Sequence, residues 1–258
     1  MPVFNNALAG AAGSGGDAGY KIERSLRFDS SANSYLHWDH NTNSSTTTWT
    51  FSCWVKRSAF GTGNYYNIFS SKFNQGTSQR YFQFVFDNSD RLECYIRNHA
   101  NEQAYFTTNR RFRDPGAWLH LCWVVDTSLS DANAGTGGKD RFKLFVNGER
   151  MDSFASNSYP AHNQNVAAIS SSERNYIGQR NDSQYFDGYL AEVHFVDGQA
   201  LEPATNFGEY DSDTGVWNPI EYTGTHGTTG FYLDFSDSSS NTSLGNDAAG
   251  SNNWTVNN

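Results

Sequence analysis

The stretch Phe186-Asp187-Gly188-Tyr189-Leu190-Ala191-Glu192-Val193-His194-Phe195-Val196-Asp197-Gly198-Gln199-Ala200-Leu201 decides how this chain of 258 residues folds. It is a strand-like run rich in aromatic and β-branched residues, closed by Asp-Gly turn chemistry. Trp118-Leu119-His120-Leu121-Cys122-Trp123-Val124-Val125-Asp126 is a second such run upstream. Aromatics make up 16% of the chain and charged residues 17%, with Gly, Ser, Thr and Asn between the apolar runs. That is the composition of short strands and many turns, and no long amphipathic helix is visible.

Working outward, alternating runs recur at the spacing of a sandwich. They fall at residues 25–28, 48–55, 66–70, 81–87, 91–97, 105–108, 118–126, 141–147, 174–177, 188–197, 230–235 and 254–256. In the second of these, Trp49, Phe51, Cys53 and Val55 share one face and Thr50, Ser52 and Trp54 the other. So many short strands exceed one open sheet, and two stacked sheets solve the burial problem. Asn147-Gly148 predicts a hairpin turn, Asp114-Pro115-Gly116 a tight turn, and 128–139 a mobile small-residue insertion. A chain of this length buries roughly three-quarters of its unfolded surface as one all-β unit.

The formal net charge of -9 argues against a nucleic-acid footprint, which needs clustered Lys and Arg. Three cysteines with no close-spaced pair predict neither a zinc knuckle nor a disulfide framework. Cys53 and Cys94 alternate with apolar neighbours and read as buried thiols. Met1-Pro2-Val3-Phe4 has neither the basic start nor the apolar core of a secretory signal, and no run reaches transmembrane length. Assembly in a reducing cytoplasm without membrane insertion is expected. Residues 1–21 stand apart, because ten of the first nineteen residues are Gly or Ala. Val3, Phe4 and Leu8 punctuate this segment as anchors, which predicts an extended attachment arm ahead of a single sandwich over 22–258.

Across residues 25–201 the chain resembles the concanavalin A-like lectin/glucanase superfamily, in its laminin-G-like jelly-roll branch. The likeness rests on Ser25 to Leu36 as an opening strand, Trp49 to Val55, the Trp118 strand, Phe142 to Gly148, and Ile177-Gly178 with Phe186 to Leu201. Phe231-Tyr232-Leu233-Asp234-Phe235 and the turn from Leu244 to Trp254 resemble segments that stand at the start of such domains. They imply a permuted arrangement in which strands of 230–258 complete the sandwich and 202–229 is a surface crossover. With an Asn-Asn-Ala-Leu-Ala-Gly leader before Ser-Leu-Arg-Phe, the whole is similar to lectin-like virion proteins of marine tailed bacteriophages. The resemblance implies a virion-surface fibre or capsid decoration, assembled in the host bacterial cytoplasm. Its expected partners are other virion structural proteins, further copies in a homo-oligomer, with a trimer favoured, and a host-surface glycan. A freestanding or cell-surface lectin and a jelly-roll glycosidase are the alternatives.

Glycosidases need two carboxylates flanking the scissile bond. Glu209-Tyr210-Asp211-Ser212-Asp213-Thr214 comes nearest, with Thr214 in place of an acid and Gly208 and Gly215 marking a loop, so no catalytic residue and no enzyme are expected. The resemblance implies a structural role for Glu192, holding a neighbouring loop by hydrogen bonds, while His120 reads as a satisfied, half-buried histidine. Calcium is the one candidate cofactor, with Asp87, Asn88 and Asp90 as oxygen donors and the Asp182 to Asp187 turn as a second acidic site. For a carbohydrate, the mixture of rings and amides points to Tyr65, Tyr66, Asn67, Asn181, Asp182, Gln184 and Tyr185, and to 159–164. Deleting residues 1–19 is expected to leave a soluble, folded sandwich that no longer joins its particle or oligomer. Sedimentation of the truncated chain with particles at normal stoichiometry would contradict the attachment role.

Overall fold

Alternation of apolar residues builds two large antiparallel sheets in the computed structural model, which describes residues 19–61, 63–75, 78–98, 100, 102–169, 171, 173–180 and 182–257. In chain order the strands are β1 (Leu26–Phe28), β2 (Tyr35–Asp39), β3 (Thr48–Arg57), β4 (Tyr66–Gln75), β5 (Ser78–Phe86), β6 (Arg91–Arg97), β7 (Gln103–Arg111), β8 (Leu119–Asp126) and β9 (Phe142–Val146). They continue as β10 (Glu149–Arg150), β11 (Phe154–Ser158), β12 (Arg174–Ile177), β13 (Gly188–Asp197), β14 (Gly208–Tyr210), β15 (Trp217–Pro219), β16 (Phe231–Leu233) and β17 (Thr255–Asn257). Among the described residues, the first sheet runs β1-β13-β3-β8-β9-β10 with β16 also on β13. The second runs β11-β7-β6-β5-β4-β12-β2-β17, and β14-β15 form a separate pair.

The inner faces meet in an aromatic core. Trp49, Phe51 and Val55 of β3 and Trp123 of β8 are fully buried against Phe69, Phe82 and Phe84 of the other sheet. Trp123 stacks on Phe82 at 5.1 Å between ring centroids, and Trp49 meets Trp123 edge-on at 4.8 Å. Offset and edge-to-face rings gain about 0.5–1.5 kcal/mol beyond their area, which favours one packing over its alternatives.

The expected opening strand from Ser25 to Leu36 is two strands in different sheets. Its middle, Asp29 to Asn33, is a turn: the Ser31 backbone N–H donates to Asp29 Oδ1 at 2.9 Å, and Asn33 takes a positive φ of 54°. Asp, Ser and Asn favour such a turn, and it carries the chain from β1 on β13 to β2 on β12. The insertion at 128–139 leads into a short 3-10 turn over Thr136–Arg141. The buried Arg141 guanidinium ties it down, donating from Nε to Leu129 O at 2.8 Å and pairing with Asp131. Asn147 and Gly148 hold positive φ angles between β9 and β10, as the hairpin turn requires.

The C-terminal strands enter both sheets. β16 pairs with β13, Phe195 opposite Phe231, on the same edge that β1 occupies at its other end. β17 pairs with β2, Val256 opposite Leu36, and Trp254 packs 4.9 Å from Phe231. Between β13 and β16 the crossover crosses the outer face of the first sheet, where Phe207 and Trp217 are buried. Losing a buried Phe costs about 3–5 kcal/mol. A chain ending at Gly230 loses Phe231, Leu233 and Trp254 together and is expected to be insoluble. A soluble 1–230 fragment with a cooperative thermal transition would contradict this.

Candidate functional site

The outer face of the first sheet is closed: Thr50, Ser52, Trp54, His120, Cys122, Val124 and Val196 are all buried there. The outer face of the second sheet is where side chains meet solvent. Alternation in β2 sends Leu36 into the core and leaves Tyr35, His37 and Asp39 outside; β12 does the same with Ile177 against Arg174 and Tyr176. Register sets Tyr176 beside His37 and Arg174 beside Asp39. Tyr35 lies 6.0 Å from Tyr176 and 6.1 Å from His37 between ring centroids. Arg174 grips Asp39 with two hydrogen bonds, 2.7 and 2.6 Å, and Asn257 Nδ2 lies 2.7 Å from His37 Nδ1.

A loop from Gly178 to Asp187 completes this face. Gly178 has φ +87°, and a Cβ there would stand 2.5 Å from the Phe28 ring, so the close approach requires glycine. The Phe186 N–H donates to Gly178 O at 2.7 Å and closes the loop base. Inside, the Asp182 N–H donates to Gln179 Oε1 at 2.8 Å, and Ser70 Oγ donates to Gln179 O at 2.7 Å. The loop brings Tyr185 to 6.2 Å from Tyr35. Tyr35, Tyr176 and Tyr185 thus form a half-buried platform with exposed Asp182 nearby. Burial, helped by the Asp182 carboxylate, pushes the Tyr176 and Tyr185 hydroxyls above their ordinary range, so at neutral pH they are uncharged donors and acceptors.

Of the residues chosen from sequence, Asp182, Gln184 and Tyr185 share this loop. Tyr66 and Asn67 point elsewhere: Tyr66 is in the core, and Asn67 is fully buried, donating from Nδ2 to Gln184 Oε1 at 2.9 Å. Asn67 therefore holds the loop and cannot itself touch a ligand. Tyr65 is half-buried with Glu93, Asp87 and Arg91 as its charged neighbours. Asn181 and the arm residues Val3, Phe4 and Leu8 lie outside the described residues. Tyr35, His37 and Tyr176 were not anticipated; the polar-outward alternation of Tyr35-Leu36-His37 and Arg174-Asn175-Tyr176-Ile177 is the signal that marks them.

The turn at Asp87, Asn88 and Asp90 is engaged by arginines. Asp87 accepts from Arg91 Nε at 2.8 Å, while Asp90 accepts from Arg57 at 3.0 Å, Arg113 at 2.6 Å and the Gly61 N–H at 2.6 Å. Glu209 lies on β14, a strand where a loop was expected, and is exposed. Asp211 caps the following turn, accepting from the Thr214 N–H and hydroxyl, both at 2.7 Å.

Glu192 sits in a β-bulge of β13, where the register against β3 slips between Ala191 and His194. Its φ of +48° is unusual for a non-glycine residue and turns the carboxylate out of the core onto the covered outer face. There Glu192 Oε2 accepts from Tyr20 at 2.7 Å and from Tyr232 at 2.8 Å. Beside it His194 Nδ1 lies 3.1 Å from His226 Nε2, and His120 Nε2 lies 2.8 Å from Ser52 Oγ. His120 is fully buried, deeper than the half-buried position expected from sequence.

The family model described as the concanavalin A-like lectin/glucanases superfamily matches residues 29–205. No curated protein matches the sequence. Among solved structures, a putative carbohydrate binding protein from Bacteroides ovatus superposes over 91% of this chain and 58% of its own, at 15% identity and a TM-score of 0.53. Domains LG4-5 of the mouse laminin alpha1 chain match over 70% of this chain and 44% of theirs, at 11% identity and a TM-score of 0.47. A heptameric SAP-like pentraxin from Limulus polyphemus matches over 69% of this chain and 76% of its own, at 17% identity and a TM-score of 0.45. At these identities the likeness is one of fold.

The covered histidines couple stability to acid. Burial pulls His120 down to about 3, with His194 adding to the effect, and pulls His226 down to about 4. Both lie below the unfolded value near 6.5, so the unfolded chain binds more protons in between, and stability is full above pH 6.5 and falls as pH drops through that window. For His120 the loss is about 1.4 kcal/mol per pH unit. Urea midpoints are expected to decline between pH 6.5 and 5, above the carboxylate range, with a smaller slope in His120→Asn. Equal slopes in the two proteins would contradict the assignment.

Proposed function

We propose, for a chain that belongs to the concanavalin A-like lectin/glucanase superfamily, a non-catalytic role: carbohydrate binding on the tyrosine platform of the second sheet, displayed from the exterior of a virion. The platform carries this reading. Aromatic faces cover the apolar faces of a sugar ring, while convergent polar groups fix its hydroxyls. Tyr35, Tyr176 and Tyr185 supply the rings, and Asp182, His37 and Asn257 stand beside them. Binding of this kind uses stacking and hydrogen bonds and requires no cofactor. Calcium at Asp87, Asn88 and Asp90 would have to displace Arg57, Arg91 and Arg113 from the carboxylates.

The molecule is also polarised in a way that suits display. Tyr20 and Ile22 pack on the outer face of the first sheet with Trp54 and Trp217, on the side of the sandwich away from the platform. An arm over residues 1–21 holding other virion subunits would therefore leave the glycan face outward. The reading as a binding protein is supported by two acids already engaged: Asp211 is tied into its turn and Asp39 is held by Arg174, whereas glycoside hydrolysis uses a free pair.

A glycan array with the purified chain, using host-surface polysaccharides among its probes, tests the reading. Tyr176→Ala or Tyr185→Ala is expected to weaken binding about tenfold, as loss of a ring contact implies, while Tyr65→Ala leaves it unchanged. The same polysaccharides are expected to release no reducing ends. Binding indifferent to both platform variants, or turnover abolished by Glu209→Gln, would overturn the proposal, and a chain absent from purified particles would remove its virion half.

A further inference from the structure

Charge is divided along this chain. All 18 Lys and Arg lie within residues 1–180, while residues 181–258 hold twelve Asp and Glu and no Lys or Arg. The fold gathers part of each set on a separate exposed face.

The cationic face is the end of β7. Arg111 stands opposite Arg91 in the register between β6 and β7, and like charges so placed destabilise a sheet. Asp87 offsets Arg91, and Asp90 offsets Arg57 and Arg113, but both carboxylates are buried, while the Arg113 side chain is 56% exposed. Arg110 and Arg111 are exposed and, among the described residues, have no carboxylate partner. Arg111 donates to the neutral Ser89 O at 2.9 Å, and the Arg110 guanidinium lies 5.0 Å over the Phe112 ring. Asp114, the acid that follows them, accepts the Gly116 N–H at 2.8 Å. Three exposed guanidiniums thus form a rim at this end of the second sheet.

The anionic face is the β14–β15 hairpin. Its turn is closed by the Asp211 N–H donating to Val216 O and the Gly215 N–H donating to Asp211 O, both at 2.8 Å. Tyr210 and Val216, 53% and 48% exposed, are the large hydrophobic residues that stand open to solvent among the described residues. Tyr210 is fixed there: its hydroxyl donates to Asn147 O at 2.9 Å and its ring meets Trp217 edge-on at 4.8 Å. Glu209 and Asp213, also exposed, flank these two side chains and, among the described residues, pair with no cation.

The two faces are complementary. Guanidinium forks match carboxylates and stack on aromatic rings, and Arg and Tyr are enriched where proteins meet. The rim belongs to the second sheet and the hairpin lies on the outer face of the first, and among the described residues no ion pair joins them within one chain. We propose that copies of this chain associate through these faces, the hairpin of one copy setting Glu209, Tyr210, Asp213 and Val216 against Arg110, Arg111 and Arg113 of the next. Such a contact is heterologous, running head to tail and closing into a ring where the rotation permits. It is independent of the tyrosine platform.

Sedimentation velocity of the full chain tests this at about 0.01 M and about 1 M salt, where charges act over about 30 Å and about 3 Å. The parent and Tyr176→Ala are expected to self-associate equally at low salt and to dissociate at high salt. Arg110→Glu with Arg111→Glu reverses the rim while relieving the opposition to Arg91, and Glu209→Arg with Asp213→Arg reverses the hairpin. Each double variant is expected to associate at least about tenfold more weakly than the parent. An equimolar mixture of the two is expected to recover association, because each reversed face then meets one of opposite charge, a recovery that misfolded variants would not show. A parent that is monomeric at low salt, parent-strength association in either double variant, or no recovery on mixing would overturn the proposal. Loss of association in Tyr176→Ala would also overturn it, since the contact would then lie on the platform.

Discussion

The structure depends on a sheet that is buried on both faces. In β3, Trp49, Phe51, Cys53 and Val55 face the other sheet while Trp54 points away, and in β8, Cys122 and Val124 do the same. Such strands cannot leave one side in water, and fully burying a large apolar side chain is worth about 1.5–3 kcal/mol. The crossover after β13 meets this demand with Phe207, Leu201 and Tyr222, and the segment before β1 with Tyr20 and Ile22. With that side closed by a covering layer, the outer face and rim of the second sheet are the open surface.

Glu192 locks the covering layer to the sheet. The bulge in β13 falls where the stretch paired with β1 gives way to the stretch paired with β16, so one carboxylate meets Tyr20 from the N-terminal side and Tyr232 from the C-terminal strand. An unpaired buried carboxylate would be costly, and two phenol donors satisfy it. Burial beside Glu192 pushes both phenols well above their ordinary range, which keeps them protonated as donors. The sequence placed Glu192 in mid-strand and the family resemblance implied a structural acid, but the outward turn of its side chain comes from the bulge, which no residue pattern marks.

Strand positions were legible where the period was strong: 91–97, 174–177 and 188–197 carry clear apolar spacing and appear with those bounds. The short strands β10, β11, β14 and β15 were not legible, because Glu149–Arg150 and Phe154–Ser158 are edge segments with little to bury, and β14 and β15 pair with each other over the sheet. At the site, the loop residues Asp182, Gln184 and Tyr185 could be read from local composition. The strand half of the platform could not, since Tyr35 and Tyr176 are brought together by register between β2 and β12, residues far apart in sequence. Asn67 misled for the opposite reason: an amide beside tyrosines is compatible with a ligand site, and only packing shows it spent on Gln184.

The central claim is that the tyrosine platform, and not the covered face, meets the ligand. Nitration of tyrosines by tetranitromethane, mapped by peptide mass spectrometry with and without a glycan bound by the chain, tests it most directly. The account predicts that Tyr35, Tyr176 and Tyr185 react in the free protein and are protected by the glycan, while Tyr20 and Tyr232, hydrogen-bonded to Glu192, stay unreactive in both. Full reactivity of the three platform tyrosines in the presence of saturating glycan would contradict it.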